Sequence, residues 1–109
     1  MSGYTFRAIR EALGLSTTDI ADMWDIARRT PERWEAGRVP VPLWAAESIA
    51  GLEERAAADT ARLVAELHDT HVTTLTIPDD ELPERWHRAI AARVRREIPG
   101  LGIARGPAQ

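Results

Sequence analysis

Between Ser16 and Arg38 the chain reads S-T-T-D-I-A-D-M-W-D-I-A-R-R-T-P-E-R-W-E-A-G-R, and this stretch leaves few folds open. Ser16 can accept an orphan backbone N–H as a helix N-cap, and Asp19 stands three residues on, where the acid of a capping box belongs. A helix is therefore predicted from Thr17. Ile20, Ala21 and Trp24 give it one apolar face and leave Asp19 and Asp22 outside. Asp25 falls where the chain must turn, and a short Asp side chain tolerates left-handed backbone angles. Ile26 returns to the core. From Ala27 the pattern inverts, with Arg28, Arg29, Glu32, Arg33 and Arg38 pointing out around a buried Trp34. Gly37 is a C-cap, and Pro40 and Pro42 prevent continuation. Pro31 removes a backbone N–H and is tolerated only in a first turn, so this second helix is expected to start late, with Thr30 as N-cap. Two short helices meeting at a tight turn, the second with a mostly basic face, have the layout of a helix-turn-helix.

At these residues the chain resembles a known family. Ser16, Ile20, Ala21, Trp24, Ile26, Arg28, Trp34, Glu35 and Gly37 look like the S, L, A, L, V, R, W, E and G of the lambda-repressor-like (Xre-type) helix-turn-helix, with every spacing kept. Phe6, Ile9 and Arg10 extend the likeness into that family's first helix. It covers roughly residues 4 to 52, and departs from the family pattern at Asp25, in place of a turn Gly, and at Pro31, in place of an inward-packing residue. The resemblance implies a transcription regulator, a repressor, that binds double-stranded DNA as a homodimer on a palindromic operator. Thr17 and Arg38 would then contact phosphate, while Arg28, Arg29 and Arg33 would reach base edges. The order of elements along the whole chain is also similar to that of anti-CRISPR-associated regulators and small YdiL-type proteins, which dimerise through a C-terminal strand and helix.

A net charge of −3 argues at first against a nucleic-acid partner, so its distribution matters. Residues 1–41 are neutral, residues 42–82 are strongly acidic with only Arg55 and Arg62 as cations, and residues 83–109 are basic. The acidic middle should face away from DNA. All 14 basic residues are Arg, and Ala is abundant, which points to a GC-rich coding genome such as that of an actinobacterium or its phages. There is no cysteine, hence no disulfide framework, and no apolar run long enough for a leader or a membrane span, so a cytoplasmic location is expected.

Around the central stretch, Phe6, Ile9 and Leu13 share one face of a first helix over Tyr4 to Leu13, with Thr5 as N-cap, Gly14 as its end and Arg7, Arg10 and Glu11 outside. A long helix is predicted from Pro42 to His68, with Gly51 as a possible bend and with Leu43, Trp44, Ile49 and Leu52 completing the core. Val72 to Ile77 alternates β-branched residues as a strand does. With no second strand signal elsewhere, its expected partner is the same strand of another copy, antiparallel about a twofold axis. A last helix over Pro83 to Glu97 carries Trp86, Ile90 and Val94 on one face, followed by a loose tail. The expected fold is thus mainly α. It has a four- or five-helix DNA-binding bundle over 1–52, a helical extension over 53–71 and a strand-helix dimerisation segment over 72–109, with Val72, Leu75, Ile77, Trp86, Ile90 and Val94 at the dimer contact.

Other chemistry is thinly represented. The four Trp residues fall on apolar helical faces and read as core, not as base-stacking platforms. His68, Asp69 and His71 lack further ligands at metal-binding spacing. Asp79, Asp80, Glu81 and His87 lack a nucleophile, oxyanion donors or a Gly-rich phosphate loop, so no enzyme, metal or cofactor is expected. The rival expectation is a protein-interaction module, such as an antitoxin or a phage factor, that uses the same scaffold to bind a host protein.

Overall fold

In the computed structural model, which describes residues 1–106, Ser2 and Ser16 start the first two helices by the same device. The Ser2 hydroxyl oxygen accepts the Thr5 N–H at 3.0 Å and starts α1, Gly3–Ala12. Ser2, not the expected Thr5, is therefore the N-cap, because Thr5 lies three residues inside, where its own N–H needs capping. Ser16 and Asp19 form the reciprocal capping box of α2, Thr17–Trp24. Asp25 ends α2 in the left-handed region at φ 52°, and Gly14 and Gly37 stop α1 and the third helix at φ 76° and 74°.

The third helix, α3, spans Arg29–Glu35. It starts earlier than the Thr30 cap expected from sequence, since Thr30 already donates its N–H to the Ala27 carbonyl. Pro31 still lies within the first turn, where a missing N–H breaks no helical hydrogen bond, and its ring is buried. The fourth helix, α4, runs unbroken over Leu43–His68, through Gly51.

Residues Met1–Glu54 form one compact unit. Its core is Phe6, Leu13, Leu15, Ile20, Ala21, Trp34, Ala45 and Ile49, with the rings of Phe6, Trp24, Trp34 and Trp44 meeting largely edge to face. Phe6 and Trp34 have centroids 5.4 Å apart, and Trp44 lies 5.5 and 5.7 Å from Trp24 and Trp34. Such pairs contribute about 0.5–1.5 kcal/mol beyond burial. Two expected core residues are placed differently. Leu43 is 74 % exposed at the first position of α4, and Trp44 is 46 % exposed, packing one side of its indole on the cluster and showing the other to water.

Arg55–Gln109 form the second compact unit, described here through Gly106. From Arg55 onward α4 belongs to this unit, together with β1 (Thr74–Ile77), α5 (Glu84–Glu97) and β2 (Gly102–Arg105). β1 pairs in parallel with β2, Thr74 opposite Gly102 and Ile77 opposite Arg105. This overturns the expectation that the strand pairs antiparallel with another copy: its partner lies in the same chain, within the supposedly loose tail. A helix between two parallel strands supplies the crossover that such pairing needs. The remaining tail, residues 107–109, lies outside the described residues. The apolar face assigned to dimerisation is also accounted for internally. Ile77, Trp86, Ile90 and Val94 are buried in their own unit, with Ala91 and Leu101, and so are not a surface for a second copy. Val72 is exposed ahead of the strand, and Leu75 is half-buried on it. Among the described residues no helix is long and apolar enough to cross a membrane.

Two glycines predict opposite outcomes. A Cβ on Gly3 would lie 1.9 Å from the Trp34 carbonyl oxygen, so Gly3→Ala should destabilise the first unit by about 1–3 kcal/mol as α1 and α3 are forced apart. A Cβ on Gly51 meets nothing within 4 Å inside α4, so Gly51→Ala should stabilise by about 0.5–1 kcal/mol. Chemical denaturation of both variants checks the signs.

Candidate nucleic-acid interface

α3 is fixed from its inner side by three independent contacts. Trp34 and Pro31 are buried under it. Gly3 lets the start of α1 approach the backbone at Trp34 and Glu35. Arg10 then reaches across from α1 and clamps the Glu35 carboxylate with both ends of its fork, Nε to Oε2 at 2.7 Å and Nη2 to Oε1 at 2.8 Å. Its remaining Nη1 donates to the Leu15 carbonyl at 2.9 Å, tying the α1–α2 turn to the same guanidinium. The sequence pattern placed Arg10 outside; its side chain is only 12 % exposed, because Glu35 compensates its charge. The Glu35 hydrogen bond and charge outweigh the cost of burial and hold Arg10 above its ordinary pKa.

The outer side of α3 is electrostatically different. Arg28, Arg29, Arg33 and Arg38 are all exposed, and among the described residues none of the four has an ion-pair or hydrogen-bonding side-chain partner. Arg29, Arg33 and Arg38 come together along a shallow groove with Glu32 and Ala36. Arg28 precedes the helix at its N-cap position and does not line this groove. Thr17, the first residue of α2, is half-buried, with its backbone N–H in the first turn. Guanidiniums without internal partners keep their full donor capacity for phosphate oxygens or the O6 and N7 acceptors of guanine. Sequence reasoning does not find Gly3 or the buried state of Arg10, because both depend on contacts with residues far along the chain.

The second unit carries a polar constellation of its own. His87 on α5 donates from Nε2 to Asp80 Oδ1 at 2.8 Å, and the same oxygen accepts the Leu82 N–H at 2.9 Å. These bonds, His87 first, hold the Asp80 carboxyl below its ordinary pKa. His68 faces Asp69 at 3.3 Å on the exposed end of α4. The comparisons find no matching family and no matching curated protein.

Two outcomes follow from these contacts. Glu35→Ala strands a mostly buried guanidinium and should lower stability by about 2–3 kcal/mol in chemical denaturation. A carboxyl with a depressed folded pKa stabilises the fold above its unfolded value of about 3.9, and that contribution disappears as pH falls through the folded value. Asp80→Asn should therefore be less stable than the parent at pH 6 and converge with it towards pH 2, as followed by denaturant midpoints across that range.

Proposed function

We propose that this chain is a sequence-specific DNA-binding transcription regulator that works in the cytoplasm as a repressor. The observation that carries the reading is the two-sided character of α3. Its inner side is pinned by Trp34, Gly3 and the Arg10–Glu35 pair, and its outer side displays guanidiniums with no internal partner among the described residues. A rigid, basic, solvent-facing helix is what entry into a major groove requires, and the preceding helix and tight turn supply the customary support. In this reading Arg28, Arg29 and Arg33 address base edges. Arg38, beyond the end of the helix, and the first turn of α2 at Thr17 hold phosphates.

A recognition helix of seven residues reaches few base pairs, so the proposal includes two copies on a palindromic site, their helices about one turn of the duplex apart. The second copy must meet a surface other than the buried face of α5. The acidic charge of residues 42–82 does not count against the reading, because the first 41 residues are neutral and their cations are concentrated at α3.

Selection of bound fragments from a random DNA pool, followed by titration at several salt concentrations, tests the proposal. The expected outcome is an enriched inverted repeat whose affinity falls steeply with salt; equal affinity for all fragments, or none, overturns it. On the selected site, Arg33→Ala should lose about 1–3 kcal/mol of discrimination at a single base position. Arg38→Ala should weaken every sequence alike and reduce the salt slope by about 1. Competition binding against single-base operator variants separates the two effects.

A further inference from the structure

Within the second unit, α4, β1 and α5 surround a cavity of about 350 Å³ whose walls combine apolar side chains with a ring of charged ones. Leu63, Leu75, Ile77 and Ile90 form the apolar floor, and Arg55, Asp59, Arg62, Asp80 and His87 form the polar part. The volume lies at the small end of the range, about 300–1,000 Å³, in which proteins hold small ligands.

The hydrogen-bonding capacity of the polar part is unbalanced. Asp80 Oδ1 already accepts from His87 and from the Leu82 backbone. Both oxygens of Asp59 face guanidiniums, Oδ2 towards Arg55 at 3.8 Å and Oδ1 towards Arg62 at 3.6 Å. These separations, and the 3.4 Å from Arg62 to Glu66, exceed those of strong charge-assisted hydrogen bonds. Each guanidinium has five N–H donors, so the two together offer more donors than the carboxylates of Asp59 and Asp80 can accept, and donors are left in excess. Arg55 and Arg62 are more than half exposed and stand two turns apart on the same helix, with Asp59 between them. Arg55 also lies 5.9 Å from the Trp86 ring centroid, and Arg62 donates from Nη1 to Glu66 Oε1 at 3.4 Å, which leaves each guanidinium with N–H groups to turn inward.

We propose that this cavity binds a small carboxylic acid with a short apolar body. The carboxylate is gripped by Arg62, with Arg55 beside it, and the hydrocarbon lies on Leu63, Leu75 and Ile90. The inference stands independently of the DNA-binding reading, since it uses no residue of the first unit. An amine would meet two guanidiniums of its own charge; a neutral alcohol would gain only the apolar floor.

The test titrates the full chain with hexanoate, hexan-1-ol and hexylammonium, following backbone amide resonances. Hexanoate should give saturable shifts centred on Leu75–Ile77 and His87–Ala91, hexan-1-ol should bind about tenfold more weakly, and hexylammonium should leave the resonances in place. Arg62→Gln, a surface change that preserves the fold, should weaken hexanoate by about tenfold and leave hexan-1-ol unchanged, the loss expected for one charge-assisted contact. Equal binding of all three probes, saturable binding of none, shifts centred elsewhere, or hexanoate binding indifferent to both Arg62→Gln and Arg55→Gln would overturn the proposal.

Discussion

The first unit depends on one guanidinium. Arg10 satisfies a carboxylate on α3 and a carbonyl in the α1–α2 turn, so a single side chain fixes the ends of three helices relative to one another. A bidentate pair sets direction as well as distance, which a hydrophobic contact does not. The aromatic cluster beneath supplies bulk and burial without direction. Apolar packing holds α3 down and the ion pair sets its angle. The backbone contact at Gly3 limits how far α3 can shift, because no side chain intervenes to yield.

The second unit solves a different problem with little material. A pair of four-residue strands is marginal by itself. Here α5 covers the pair with Trp86, Ile90, Ala91 and Val94, while Leu101 and Ile77 close the layer. The parallel arrangement follows from the helix between the strands, and His87 ties the β1–α5 loop back to that helix through Asp80.

Most of the first unit is legible in the sequence, because its signals are local. Ser16 and Asp19 are three residues apart and Asp25 and Gly37 sit at helix ends, so caps and turns follow from short-range rules. Arg10 is harder to read because its partner lies 25 residues away; a helical pattern counts a charged residue as exposed unless the compensating charge is known. β2 was invisible for a related reason. G-I-A-R contains a single β-branched residue beside glycine, so propensity is silent, and only the pairing with β1 makes it a strand. Without that strand β1 looks unpartnered, and a buried helix face reads as a dimer contact. The four arginines in and around α3 are all evident in the sequence, whereas the groove joining Arg29, Arg33 and Arg38 but not Arg28 needs the fold.

Among the described residues, Arg28, Arg29, Arg33 and Arg38 on the outer side of α3 make no side-chain hydrogen bond or ion pair that the fold requires. Exchanging solvent-facing residues of this kind usually changes stability by no more than about 0.5 kcal/mol. Arg28, Arg29, Arg33 and Arg38 can therefore be rewritten by mutation while the tryptophans, Gly3 and the Arg10–Glu35 pair stay as they are. If this face reads DNA as proposed, its preference can diverge quickly among descendants of this gene, each keeping the same skeleton and changing one substitution at a time.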